Sequence, residues 1–524
     1  MRLSLAQYRD KVAGCWLGKC IGGTLGAPFE GKRGVFDVTF YTQDLSRGPV
    51  PNDDLDLQLV WLNAAERYGR QLNAAILAEY WLSFVVPNWS EYGAGKNNLR
   101  MGLVPPFSGE VGNPNRDSCG CFIRSELWAC LAPGHPEIAA RLAREDGCVD
   151  HSGEGLYGEI FFAAVQIAAF ASADPEELLH IGLSYLPADC GVAGAVRTAQ
   201  ACRREGLDWR AARKKILRQY PSSFGAGTPR EEMDPDIPVG PVGWDAPANI
   251  GLTVMAWLYG GGDFGQSLCI AAGCGEDADC TAGTLGATLG ILLGAGGIDP
   301  KWAGPVGDRI ATLCIDRTEH GSRVGLSVPD TVTELTGRIL RLAPQFLGRW
   351  CDILGPQGYT IDMREPAALF YRPELISYWE QENYRERWER PFVLDYDFVI
   401  FRARLDYGGE PFVRPGREMR LTLTVENSVP QQQWLELSWH LPDGWRVLPG
   451  PRSAMSLCHR MIGTATAVFA LQPPETLPDS RYDLMLSIAS RGRPTRGIIP
   501  VTLFQNAGRS PEAGGAPVGP APEA

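Results

Sequence analysis

Two pairs of aspartates are the residues of this chain best suited to chemistry. Asp53 and Asp54 follow Asn52, and Asp277 and Asp279 flank Ala278 just before Cys280. Aspartate is a favoured helix N-cap and acids suit the positive end of a helix, so capping alone accounts for either pair taken singly. A cap needs one carboxylate, however, and each segment carries two. Positions i and i+2 lie on nearly opposite faces of a helix, so Asp277 and Asp279 converge only if they occupy the turn that enters one. If both pairs face one pocket, four carboxylates crowd together. At an effective dielectric of 20, two like charges 4 Å apart repel by about 4 kcal/mol. Either some are protonated or cations neutralise them. Hard oxygen donors without a His/Cys cluster favour Mg²⁺ or Mn²⁺ over zinc. Two divalent cations would balance four carboxylates, as in a two-metal site where a shared water becomes a usable nucleophile near neutral pH.

Those side chains need helices to hold them. Residues 279–294 read as a buried helix in which Gly283, Gly286, Gly290 and Gly294 stand among alanines and threonines. Glycine costs about 1 kcal/mol per helix position relative to alanine, so the repetition calls for a reason, and close approach of a neighbouring helix supplies one. Residues 5–27 read as another helix with Gly14, Gly18, Gly22 and Gly26 in one stripe, ended by Pro28 and followed by a loop carrying Glu30. A helix over 55–69 has Leu55, Leu59 and Leu62 on one face and Gly69 as its stop. Further helices are expected at 71–85, 121–131, 135–146, 155–172, 175–185, 188–205, 208–218, 247–259 and 263–273, with long Pro/Gly-rich loops at 87–115 and 221–247. No strand pattern shows before residue 390, so residues 1–345 read as an all-α domain and 346–394 as a transitional segment.

From residue 395 the hydrophobic period changes to two, as in Met419-Arg-Leu-Thr-Leu-Thr-Val-Glu and Trp434-Leu-Glu-Leu-Ser-Trp. Short strands between Gly, Pro and Asp turns over 395–506 suggest a β-sandwich. Residues 507–524, rich in Gly, Pro and Ala, are expected to be a disordered tail. The fold class is therefore multidomain α plus β.

The chain has 524 residues, 44% hydrophobic and 21% charged, enough for two or three domains with ample core. A net charge of -12 argues against a nucleic-acid or anionic-membrane surface. No apolar run suggests a signal peptide or a membrane span. The fourteen cysteines are scattered without a CxxC pair, which fits reduced thiols in a cytoplasmic protein better than a zinc site.

Other residues are weaker candidates. The segment Glu91-Tyr92-Gly93-Ala-Gly95-Lys96 could cradle a phosphate or be an ordinary loop. Trp89, Tyr92 and Trp244 could stack on a purine or sugar, or simply pack. Asp56 should point away from Asp54, into solvent or a salt bridge.

Three segments together resemble the ADP-ribosylglycohydrolase family, which includes the dinitrogenase reductase-activating glycohydrolase. They are the glycine-striped helix ending Gly-Ala-Pro-Phe-Glu (26–30), Asn-Asp-Asp (52–54) and Gly-Glu-Asp-Ala-Asp-Cys-Thr-Ala-Gly (275–283). The resemblance, over about residues 8–300, implies an orthogonal all-α bundle holding two Mg²⁺ or Mn²⁺ ions. It implies hydrolysis that removes ADP-ribose from modified side chains or small molecules at the ribose anomeric carbon. By position it implies Asp53, Asp54, Asp277 and Asp279 as metal ligands and Glu30 as the acid that gates or orients substrate. Gly120 and Cys121, ahead of Arg124, would line the ribose side, and His151 falls at a Thr-His pair whose first member is Asp150 here. Two metal-site positions also depart from the family. Asn52 replaces a hydroxyl residue and can offer its carbonyl oxygen as a ligand. Cys280 also replaces one, and a thiol suits Mg²⁺ poorly, so that ligand is lost, replaced by water or supplied by Thr281.

The expected activity is a binuclear-metal glycohydrolase acting on an ADP-ribosylated or ribosyl substrate, with Glu30, Asp54 and Asp277 catalytic. A nucleoside or small ribosyl-metabolite N-ribosidase is the alternative, as is a non-catalytic ADP-ribose-binding protein. The β-domain, resembling Ig-like modules of carbohydrate-active enzymes at Leu441-Pro-Asp-Gly-Trp-Arg-Val, would shape the cleft, make a homo-oligomer or bind a glycan.

Overall fold

The computed structural model describes residues 1–223, 228–315, 326–371, 392–398, 400–428, 432–458, 463–493 and 496–505. The chain forms two compact units, Met1–Glu389 and Arg390–Ala524. The first is helical and the second is built of strands. The expected tail, 507–524, and residues 372–391 of the transitional segment lie outside the described residues.

In the first unit the helix Leu5–Gly26 opens on a capping box: the Ser4 side chain accepts from the Gln7 N–H while the Gln7 side chain accepts from the Ser4 N–H. It lies antiparallel against the helix Ala278–Leu293, and glycines make the approach feasible. A Cβ on Gly14 would stand 2.2 Å from the Gly290 carbonyl oxygen, one on Gly18 2.0 Å from that of Gly286, and one on Gly26 2.2 Å from that of Ala278. The stripe expected from the sequence is therefore a backbone-to-backbone interface at the centre of the bundle. Around it pack the helices Asp53–Tyr68, Glu126–Leu131, Gly153–Ala168, Ala246–Tyr259 and Phe264–Gly273, whose apolar residues are almost all buried in one core.

Four expectations need correction. The loop 87–115 contains the helix Ser90–Met101 and a single turn, Phe107–Glu110. Gly93 and Gly95 are helical there, and a Cβ on them would strike the Asn88 carbonyl oxygen at 2.5 Å and Asp150 Cβ at 2.9 Å. They serve close packing, and for that reason they mimic a loop in sequence. The helices Pro300–Val306 and Val332–Leu347 were not expected. The first unit is also not purely helical: Arg2–Ser4, Tyr359–Asp362 and Cys351–Ile353 form a small antiparallel sheet. A two-residue ladder pairs Lys32 with Glu276 and Arg33 with Gly275. That ladder, too short to show a period, ties the loop after the first helix to the approach to Asp277.

The second unit has two five-stranded sheets. One runs Arg452–Leu457, Gln433–His440, Arg481–Ser490, Arg496–Gln505, Phe412–Val413. The other runs Arg446–Leu448, Thr464–Gln472, Met419–Asn427, Phe401–Asp406, Val393–Asp397. Alternate residues such as Leu435, Leu437 and Trp439 are buried, as a half-buried strand requires. Trp439 of one sheet meets Phe469 of the other edge-on, with ring centroids 5.3 Å apart. Among the described residues no helix is long and apolar enough to cross a membrane.

Candidate active site

The glycine interface fixes the site because it aligns the end of one helix with the start of another. Beyond Gly26 the turn Ala27–Phe29 delivers Glu30, and the Gly31 N–H bonds to the Glu276 carbonyl at 2.8 Å. Glu276 takes a left-handed φ of 60°, held by buried ion pairing to Arg33 at 2.7 Å, and Asp277 follows at the N-cap of Ala278–Leu293. The second aspartate pair begins the helix Asp53–Tyr68, capped by Asn52, whose side-chain oxygen accepts from the Asp54 N–H at 2.7 Å. The Asn52 amide then donates to Asp279 Oδ2 at 2.9 Å, which joins the two pairs. Both helices thus point N-termini, the favourable end for anions, at one place.

The donors fall into two groups, each with ligand atoms within 4.8 Å of one another: Asp54, Asp279 and Cys280, and Glu30, Asp277 and Asp279. Asp279 is common to both. Cys280 Sγ donates to Asp54 Oδ1 at 3.3 Å. Asp53 belongs to neither group; its Oδ2 accepts the Tyr92 hydroxyl at 2.9 Å.

Crowding shows in the proton affinities. Burial, then Glu30 and Asp53, push Asp279 up to about 7. Burial, then Asp279 and Glu30, hold Asp277 well above the usual carboxylate range. Asp54 is also held well above it by burial, with Asp279 and Asp53 adding to the effect and Lys19 opposing it. Burial raises Asp53 as well, against the Tyr92 hydrogen bond. Glu30 is exposed over its surface as a whole, yet partial burial and the charges of Asp53 and Asp54 push it up to about 7. Asp279 Oδ1 is buried and accepts no hydrogen bond. Mutually repelling carboxylates with an unused buried oxygen are what a hard divalent cation satisfies, so the residues present fit one.

Several functional neighbours carry little signal in the sequence. Lys19, in the glycine helix, is buried and stands 3.4 Å from Asp54 and 3.3 Å from Glu126. Burial opposes its charge, but Glu126 and Asp54 outweigh that and raise its proton affinity. Asn249 accepts the Asp277 N–H at 3.1 Å and donates to Cys119 Sγ at 3.2 Å. Each is a lone polar residue in an apolar stretch, and its partners are distant in the chain.

Other expected site residues are placed differently. Tyr92 is buried and orients Asp53 instead of offering a stacking face, while Trp89 is exposed and stacks on it at 6.3 Å. Trp244 stacks on Tyr220. Gly93 and Gly95 face Asn88 and Asp150 instead of a ligand, and Lys96 is buried, donating to the carbonyls of Val85 and Pro87, so no phosphate cradle forms there. Gly120 packs against Glu91 and Tyr92, while the Cys121 thiol turns to Glu159 at 2.9 Å. His151 is fully buried between Ser118 at 3.1 Å and Asp150 at 3.0 Å. The Asn52 carbonyl oxygen accepts the Asp54 N–H as the helix cap, which leaves it a second lone pair. The Thr281 hydroxyl donates to the Ala278 carbonyl at 3.1 Å. Asp56 is not solvated: it is buried and accepts the N–H groups of Leu313 and Cys314.

A family model described as ADP-ribosylglycohydrolase matches residues 4–326 of the chain. Among solved structures, an "ADP-ribosylglycohydrolase-related protein complex" aligns at 20% identity and a TM-score of 0.42, covering 65% of this chain and 100% of that one. No curated protein matches the chain.

Proposed function

From the premise that the chain belongs to the ADP-ribosylglycohydrolase family, we propose that it hydrolyses a glycosidic bond at the ribose anomeric carbon of an ADP-ribosylated or ribosyl substrate. Two divalent cations, Mg²⁺ or Mn²⁺, are the proposed cofactors. The observation that carries this reading is the convergence of Glu30, Asp54, Asp277 and Asp279 at two helix N-termini, with Asp279 Oδ1 unused.

Asp54, Asp279 and Cys280 would hold one cation and Glu30, Asp277 and Asp279 the other, with Asp53 completing the charge beside them. Such ions, when bound, polarise substrate oxygens and make water acidic enough to attack near neutral pH. The protein's own residues supply orientation and proton handling. Tyr92 holds the Asp53 carboxylate, Asn249 holds the backbone of Asp277, and Asn52 holds Asp279 against the helix that carries Asp54. Glu30 is the exposed member of the cluster, and without a cation burial, Asp53 and Asp54 push its carboxyl up to about 7, so when not ligating it would hold or release a proton at the mouth of the site. Asp54 and Asp277 are buried and, ionised against bound cations, would be fixed charges beside the reacting centre. All fourteen cysteines are free, which supports a reducing, cytoplasmic setting.

The test is turnover of a panel of ADP-ribosyl and ribonucleoside substrates by the full chain, with Mg²⁺, Mn²⁺ or EDTA, beside Asp277→Asn. Expected is metal-dependent release of ribose or ADP-ribose that the variant loses by at least a hundredfold. Binding of ADP-ribose in calorimetry with no turnover of any substrate would overturn the hydrolase and leave a binding protein.

A further inference from the structure

The two donor groups of the site differ in kind. Glu30, Asp277 and Asp279 offer only carboxylate oxygens, whereas Asp54, Asp279 and Cys280 add a sulfur. Cys280 lies in the first turn of Ala278–Leu293, is 8% exposed, and holds its Sγ 3.3 Å from Asp54 Oδ1. The neighbouring Asp279, 3% exposed, keeps Oδ1 without a hydrogen bond while its Oδ2 takes the Asn52 amide. Asp279 belongs to both donor groups, and a buried carboxylate oxygen without a hydrogen bond is one that a cation would satisfy.

Of the side chains in this second group, Cys280 alone brings sulfur, beside the carboxylates of Asp54 and Asp279. Magnesium demands oxygen ligands in a near-ideal octahedron and gains little from sulfur, whereas thiolate ligands select softer divalent ions.

We propose that Cys280 makes one of the two cation positions selective for a thiophilic divalent ion over Mg²⁺, leaving the all-carboxylate position to a hard ion. The inference rests on the metal-site reading of the proposed function. On coordination the S–H bond breaks, its proton leaves to solvent and the sulfur lone pair forms the bond to the ion; no electrons are transferred.

The experiment is a Co²⁺ titration of the full chain followed by absorption, with Cd²⁺ against Mg²⁺ competition by calorimetry. Expected are visible ligand-field bands together with a near-ultraviolet sulfur-to-cobalt charge-transfer band. Cys280→Ser should remove the charge-transfer band, keep the ligand-field bands and reduce the preference for Cd²⁺ over Mg²⁺ at least tenfold. Two other thiols are controls: Cys119, in contact with Asp277, and the exposed Cys458. Cys119→Ser and Cys458→Ser should each retain the band. Ligand-field bands without a sulfur band in the unaltered protein would overturn the proposal while leaving the metal site intact, and need no variant to fold. A sulfur band that survives Cys280→Ser, or disappears with Cys119→Ser, would overturn it equally. No cobalt binding of any kind would sink the metal-site reading and this inference with it.

Discussion

Replacing Gly18 by alanine adds one methyl group at the closest point of the central helix pair. That Cβ would stand 2.0 Å from the Gly286 carbonyl oxygen and 2.6 Å from its carbon, where real contacts stay above 3.0 Å. The obstacle is backbone on a buried helix, so no side chain can swing aside. The two helices must part by about 1 Å, and a gap of that order forfeits roughly a quarter to a half of the dispersion energy across it. Overpacking of this type costs about 1–3 kcal/mol, and a rigid obstacle places Gly18→Ala toward the upper end. Alanine returns up to about 1 kcal/mol of helix propensity, which leaves a net loss near 2 kcal/mol. Gly337→Ala is the matched control: it is also helical, with only the Arg341 guanidinium 3.5 Å from the new Cβ. It should gain roughly 0.5–1 kcal/mol. Urea denaturation of the two variants beside the unaltered protein measures the difference, expected to be about 3 kcal/mol by these terms. Because the same interface sets Glu30 against Asp277, Gly18→Ala should also bind Mn²⁺ more weakly. A Gly18→Ala protein as stable as Gly337→Ala would refute the packing argument.

Three further outcomes follow from the site. Tyr92→Phe removes the hydroxyl that holds Asp53, and outer-shell losses of this type cost about tenfold or more in metal affinity; calorimetry showing unchanged Mn²⁺ affinity would count against the role. Lys19→Met leaves Glu126 buried without its cation partner and should destabilise by about 3–5 kcal/mol, with Lys19→Met/Glu126→Gln recovering part of it; equal denaturation midpoints for Lys19→Met and the unaltered protein would contradict this. The pH dependence has a definite sign: Asp279 and Glu30 rise to about 7 in the folded chain, so between the unfolded values near 4 and pH 7 the folded state binds more protons. Metal-free stability should therefore fall as pH rises through that window, while saturating Mg²⁺ or Mn²⁺ suppresses the fall; a flat metal-free profile from thermal melts would exclude the crowding described.

The elements that carry the site were legible because their signals are local. Four glycines at a spacing of four announce a close helix contact before any partner is known, and Asn-Asp-Asp before an apolar run announces a helix start. The start at Asn52 was visible, but not that its amide would reach Asp279, 227 residues away. Lys19 was illegible for a different reason. It is one charged residue among Gly, Cys and Leu, and only the fold brings it to Glu126, 107 residues away. The helix Ser90–Met101 was hidden by the very glycines that let it pack. Val332–Leu347 goes unmarked although Thr331, accepting from the Glu334 N–H at 3.0 Å, and Gly348 bracket it; the signal was present in the sequence. The ladder of Lys32 and Arg33 with Gly275 and Glu276 has no local signal at all.

The glycines and the acids are one device. Side chains between the two central helices would hold Gly26 away from Ala278, and with it Glu30 away from Asp277 and Asp279. Removing those side chains brings the carboxylates to within 4.8 Å, where Glu30 raises the proton affinity of Asp279, and Asp279 and Glu30 raise that of Asp277. Lys19 from the same helix relieves Asp54 from beneath, but its charge is shared with Glu126 and leaves Asp277 and Asp279 unbalanced. The cluster is thus assembled against its own repulsion by packing energy gathered elsewhere in the bundle. A cation that relieves the repulsion binds a site already formed, and its affinity is strengthened by what the packing has spent in forming it.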